Sequence, residues 1–179
     1  VYQPQVNIRT GEICGYEALL RLTDSAISPA DFIPIAEENG SIIKIGRLVI
    51  SIVVQQLAEW KKRGMAIKPV AVNFSAVQLH DKGFIQFLNE ELSNHKINPR
   101  FLEIEITENI LLSNKEQALS FLQKLRKMGI RIAIDDFGTG YSSLNYLTFL
   151  PVNKVKLDRS LNNQFLQMKD LRIMDSLIQ

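Results

Sequence analysis

The chain has one cysteine, one tryptophan and six prolines in 179 residues. With Cys14 alone, no disulfide can close within it, and a lone thiol fits a reducing compartment. Neither sign of charge dominates. Lys and Arg number 21 and Asp and Glu 19, for a net charge of +2. A strongly basic face for a DNA or RNA duplex is therefore not suggested, while a local patch stays open. No apolar run approaches the roughly 18 residues of a membrane span; the stretch Leu48–Val54 is far too short. No signal-peptide pattern, low-complexity tract, internal repeat or linker is visible. What is there is apolar residue: 46% of the chain, enough for one domain with a sizeable core. The first residues, Val1-Tyr-Gln-Pro4, read as strand and the last, Ile173–Gln179, as mid-helix, so a segment of a longer protein is expected.

Strand and helix signals alternate. Ile13–Leu20 reads as a strand. Ser28-Pro-Ala-Asp31 reads as a helix start, with Ser28 as N-cap, Pro29 at the first helical position and Asp31 reaching back. That helix stops at Gly40, and a longer one over about residues 43–63 stops at Gly64. Strands are expected at Lys68–Phe74, Phe101–Ile106, Ile130–Ile134 and Lys154–Leu157. Helices are expected at Gly83–His95, from the capping box Ser113–Glu116 to Gly129, at Ser143–Leu150 and from about Asn163. About five to six such units argue for a parallel βαβ arrangement, either a barrel or a doubly wound open sheet.

The polar residues favour the barrel. Alternate strand residues share a face. Glu17 and Arg21 fall together, as do Ala71 and Asn73, Glu103 and Glu105, Ala133 and Asp135, and Lys154, Lys156 and Asp158. The opposite faces carry Ile104, Ile106, Ile132, Ile134, Val155 and Leu157, suited to packing under helices. Polar groups thus collect at the C-terminal strand ends, where barrel enzymes keep their chemistry. Glu17, Asn73, Glu105, Asp135 and Asp136 offer oxygen only, with no His or Cys interleaved, which suits Mg²⁺ or Mn²⁺ rather than zinc. Adjacent Asp135 and Asp136 can share two cations, and two metals roughly 3.5–4 Å apart clamp the oxygens of a phosphoryl displacement. Lys156 could orient the attacking water, and Arg21 could hold a phosphate oxygen.

Each element also has a plainer reading. Glu17–Arg21 is compatible with a helix carrying a surface ion pair. Asn73 is compatible with a turn or cap, and Glu105 with Glu108 as a solvated edge. Asp135-Asp136 before Gly138-Thr-Gly140 could be turn chemistry, and Lys156 with Asp158 a cross-strand ion pair. His80 and His95 read as surface residues. None of these explains why successive strands place such groups at one end.

The motifs Tyr2-Gln-Pro4, Tyr16-Glu-Ala-Leu-Leu-Arg21, Ser28–Pro34, Asn73-Phe-Ser75 with Gln78, Glu103–Glu108, Asp135–Leu144 and Lys156-Leu-Asp158 occur in that order along the chain. In this they resemble the EAL domain, the bacterial cyclic di-GMP phosphodiesterase module. Each motif alone is short; the ordered set is specific and covers essentially residues 1–179. The resemblance implies a TIM-type (β/α)8-like barrel whose first strand runs antiparallel. It implies one Mg²⁺ or Mn²⁺ on Glu17, Asn73, Glu105 and Asp135, and a second on Asp135 and Asp136. Lys156 would orient the hydrolytic water, and Glu17 and Asp136 count with it as catalytic. Gln3, Arg21 and Asp158 would contact the cyclic dinucleotide, and the product would be linear pGpG. Glu108 would anchor the loop from Asp136 to Ser143, which couples the site to a homodimer. Glu103, deeper on the inward face, would pair with a barrel Lys or Arg. A regulatory or GGDEF-type domain is expected in the parent protein, which would be bacterial and cytoplasmic or membrane-anchored.

By eight-strand arithmetic the family pattern runs roughly 60–70 residues further. It includes a metal-cluster Glu and a ligand-binding Gln beyond this chain, so the domain is expected to lack its C-terminal part. Asn153 stands where Asp is commoner, and Val77 where Arg is frequent. Three rival functions follow: a cyclic di-GMP receptor without turnover, a protein-interaction module using the fold alone, and another two-metal phosphoesterase on a barrel.

Overall fold

A computed structural model describes residues 1–23, 26–110, 115–138 and 150–160. Strand β1 (Tyr2–Val6) leads by a hairpin into β2 (Ile13–Ala18), followed by helices α1 (Pro29–Glu38) and α2 (Ile42–Lys62). Strand β3 (Val70–Phe74), helix α3 (Phe84–Asn94), strand β4 (Leu102–Thr107), helix α4 (Lys115–Met128) and strands β5 (Arg131–Phe137) and β6 (Lys154–Leu157) complete it. The six strands of the described residues lie side by side in chain order. β1 is antiparallel to β2, and every later pair is parallel. The result is a half-barrel with helices on its outer face.

Local chemistry explains the one antiparallel pair. Asn7 Oδ1 accepts from the backbone N–H groups of Arg9 and Thr10, and Gly11 takes φ +72°. That turn returns the chain at once, whereas each parallel crossover needs a helix. α1 begins as expected: the Ser28 N–H and Oγ both donate to Asp31 Oδ2, with Pro29 next in line. In α2 the buried residues Ile42, Gly46, Ile50, Val53, Val54 and Leu57 follow helical spacing and lay one face on the sheet.

The core lies between the helices and the outer sheet face. Ile104, Ile106, Ile132 and Ile134 are at most 1% exposed there. Burying each such side chain stabilises the fold by about 1.5–3 kcal/mol. Phe74, Phe84 and Phe121 meet ring to ring between β3, α3 and α4. Val155, placed by its alternation on the same apolar face, is instead 37% exposed. β6 is the last strand in the sheet order of the described residues, and its main neighbour is β5.

Two boundaries differ from those read off the sequence. β2 stops at Ala18, where its ladder with β3 ends at the pair Ala18 and Val72, so Leu19 to Arg21 lie beyond the strand. β5 runs on through Asp135 and Asp136 to Phe137, with a register shift against β6 between Ile134 and Phe137. The acidic pair therefore sits in a strand irregularity rather than in a simple turn. The expected helices at Ser143–Leu150 and from Asn163, the cap at Ser113 and the glycine loop past Gly138 fall largely or wholly outside the described residues. No helix among the described residues is long and apolar enough to cross a membrane.

Candidate active site

The parallel ladders fix the inner face. β3 and β4 pair Asn73 with Glu105, β2 and β3 pair Glu17 with Ala71, and β4 and β5 pair Thr107 with Asp135. Adjacent strands stand about 4.8 Å apart, so side chains of successive strands on one face must converge. Glu17, Glu105 and Asp135 bring one carboxylate oxygen each within 4.8 Å of one another. The Lys156 ammonium on β6 lies among them. Its Nζ donates to Glu17 Oε2 at 3.1 Å, Glu105 Oε2 at 2.8 Å and Asp135 Oδ2 at 2.8 Å. Asn73 Nδ2 donates to Glu17 Oε1 at 3.1 Å. The plainer readings of Glu17 as a helical surface residue and of Glu105 as a solvated edge therefore fail.

Three carboxylates against one ammonium leave excess negative charge in a partly dry site. Glu105 is 1% exposed, and burial is the main reason its carboxyl is pushed up to about 7. The Lys156 bond and charge oppose that shift, while Glu17 and Asp135 add to it. For Lys156 burial acts to lower the pKa, but its bonds to Asp135 and Glu105 outweigh burial and hold it above the ordinary lysine value. Asp136 is raised by burial first, then by the charges of Asp135 and Asp158. Glu105 Oε1 is buried and accepts no hydrogen bond among the described residues. An orphaned carboxylate oxygen beside converging acids is a donor set that suits a hard divalent cation.

Asp136 has φ +54°, in the left-handed region, and its N–H donates to Asp135 Oδ1. Bulges of this kind re-aim side chains beside active sites. Here consecutive acids both reach the same end of the barrel.

One layer down, Glu103 is 1% exposed and pairs with Lys154 and, at 3.3 Å, with Arg131. This is the expected partnership with a barrel Lys or Arg. Lys154 also donates to Gln5 Oε1.

A cleft of about 610 Å³ opens beside the acids, lined among others by Arg21, Ile33, Glu37, Asn73, Glu105 and Asp136. Arg21 is exposed, its Nη1 donating to Leu20 O. Gln3 is exposed on β1, in register with Glu17. Asp158 follows β6 and accepts from the Ser160 N–H. Glu108 follows β4, half buried; most of the loop it was expected to anchor lies outside the described residues.

The chain belongs to the EAL domain family. The EAL model matches residues 1–179. The bifunctional diguanylate cyclase/cyclic di-GMP phosphodiesterase MucR of Pseudomonas aeruginosa is 38% identical over 172 residues, covering 94% of this chain and 25% of MucR. The cyclic di-GMP phosphodiesterase PdeR of Escherichia coli is 42% identical over 161 residues, covering 88% of this chain and 24% of PdeR. A solved structure, the PaMucR phosphodiesterase in complex with c-di-GMP, superposes with a TM-score of 0.80 at 40% identity over 89% of this chain and 68% of that one. The EAL chain thus spans about a quarter of the length of these two curated relatives.

Reading the sequence of this EAL domain missed two residues behind the cleft. Glu37 Oε1 accepts from Ser75 Oγ and so ties α1 to the end of β3. In sequence it is one of two adjacent glutamates on a helix and carries no signal. Gly46, in contrast, is an isolated glycine inside a strong helix, which usually has a packing reason. Here the reason is Gln78, buried at 3% exposure, whose Oε1 caps the Ser75 N–H. A Cβ on Gly46 would lie 1.8 Å from Gln78 Nε2. Helix propensity alone would make Gly46→Ala stabilising by about 1 kcal/mol. We expect the opposite sign, a loss of about 1–3 kcal/mol from overpacking, read as a lower urea midpoint.

Proposed function

We propose that this chain supplies the catalytic face of a phosphodiesterase that hydrolyses cyclic di-GMP to linear pGpG. The observation that carries the reading is the meeting of Glu17, Glu105, Asp135 and Lys156 from four strands at the edge of the cleft. The relatives' names support the choice of substrate.

Glu17, Asn73, Glu105 and Asp135 would hold one Mg²⁺ or Mn²⁺, and Asp135 with Asp136 a second. The oxygen-only donors and the orphaned Glu105 Oε1 fit such ions. When bound, the ions would supply Lewis-acid polarisation and a water of lowered pKa. The chain's own residues do the rest. Arg21, at the cleft, would take a phosphate oxygen, and Gln3 and Asp158 would contact the dinucleotide from the two flanking strands. Lys156 would hold the attacking water in line with one ester P–O bond. Water adds its oxygen to phosphorus, the sugar oxygen leaves with a proton, and one ring phosphodiester becomes a terminal phosphate. The chain would work in a bacterial protein carrying a regulatory or GGDEF-type domain, as a homodimer coupled through the loop past Asp136.

The test is chromatographic detection of pGpG from cyclic di-GMP with Mg²⁺ or Mn²⁺, using the intact protein that carries this chain. Turnover is expected, with Glu17→Ala lowering kcat by at least about a thousandfold, the scale of losing a group that acts on the transition state. Binding without turnover in the unmutated protein would make it a receptor instead, and absence of binding an interaction module.

A further inference from the structure

We propose that Lys156 is a resident counter-cation of the candidate metal site: its ammonium gathers Glu17, Glu105 and Asp135, and a divalent ion entering the cluster must displace it. This rests on the metal-site reading above and concerns how the site is held and loaded.

The geometry carries it. Nζ takes one oxygen from each of three carboxylates on three different strands, at 2.8–3.1 Å. These same three residues form the cluster whose oxygens lie within 4.8 Å of one another. Without a cation between them, three such acids repel and splay apart. An ion at roughly 2.0–2.6 Å from those oxygens would leave Nζ and the ion sharing donors at a separation where like charges strongly oppose each other.

The second lysine of β6 shows that this arrangement is particular to the upper layer. Lys154 meets the single carboxylate of Glu103, which Arg131 also pairs, so two cations face one anion. No further cation is needed there. Lys156 faces three anions, so a divalent ion improves the balance only if the ammonium gives way. It has the means to do so, because its side chain is 24% exposed and its four-carbon stem is flexible. Displaced, it stays tethered beside the acids, in reach of a water bound there.

Two measurements on the intact protein decide the matter, both independent of hydrolysis. In the first, Mn²⁺ is titrated calorimetrically into wild type and Lys156→Met. The variant is expected to bind roughly 5- to 150-fold more tightly, the usual range of coupling between competing charges, and to unfold at lower temperature in EDTA. In the second, the side-chain ammonium signal of Lys156 in wild type is followed by ¹H–¹⁵N NMR as Mg²⁺ is added. A shift or loss of the signal at saturation is expected. Equal or weaker Mn²⁺ binding by a folded Lys156→Met overturns the proposal while leaving the metal site standing. If the variant does not fold, an ammonium signal unmoved by saturating Mg²⁺ overturns it instead. Absence of metal binding in wild type overturns both the proposal and the metal-site reading beneath it.

Discussion

Glu105→Gln is expected to abolish hydrolysis and yet to stabilise the metal-depleted protein. The carboxyl at 105 is buried and raised to about 7 in the fold, above the ordinary glutamate value. Its charged form is thus disfavoured by folding, even with Lys156 bonded to it. A raise of this size corresponds to about 3 kcal/mol held against the folded state at pH 8. The sign follows directly. In EDTA, stability should rise as pH falls through 7 toward 4.5, because the folded state takes up a proton that the unfolded state does not yet bind. Gln has the shape of the neutral acid and should remove both the penalty and the pH dependence. Metal binding needs the carboxylate, so Mn²⁺ affinity of the wild type should weaken as pH drops below 7. Thermal melts in EDTA at pH 8 and pH 5.5, beside Mn²⁺ titrations at the same pH values, check the whole set. A Gln variant less stable than wild type at pH 8 would sink this account of Glu105.

Lys154→Met is expected to cost about 3 kcal/mol of stability without changing what the upper layer can bind. Glu103 is as buried as Glu105, and Lys154 is one of its two cations. Stranding a buried carboxylate with only a half-exposed arginine 3.3 Å away is the costly way to break an ion pair. Lys154 ties β6 to β4 through Glu103, so the same change loosens that hold across the inner face. Chemical denaturation of wild type and variant reads the loss, and Mn²⁺ titration at a temperature where both are folded should give equal affinities. Two lysines two residues apart on one strand thus meet different partners, one buried glutamate below and three acids above.

That separation was only partly legible in the sequence. Period-two alternation in Leu102–Thr107 put Ile104 and Ile106 on one face and Glu103 and Glu105 on the other, as the structure has them. It also put Lys154 and Lys156 together. Which lysine meets which acid depends on the ladder register across β4, β5 and β6, and registers between separate strands are long-range facts. The extent of β2 was overread for the same reason: Leu19 and Leu20 continue the apolar run, but the ladder with β3 ends at Ala18 and Val72. Gln78 was noticed only as part of a motif. Its buried contact with Gly46 joins a helix to a turn about thirty residues later, and no local pattern announces it.

The backbone at Asp136 bears on how this protein could change over time. A φ of +54° suits glycine and is tolerated by asparagine or aspartate, while most other residues pay of order 1–3 kcal/mol to adopt it. Replacement by glycine would therefore relax the chain rather than strain it. If the carboxylate ceased to matter, the backbone at this position would favour drift to glycine or asparagine over other residues. A lineage that had given up hydrolysis would be expected to show Gly or Asn here early, with its barrel undisturbed.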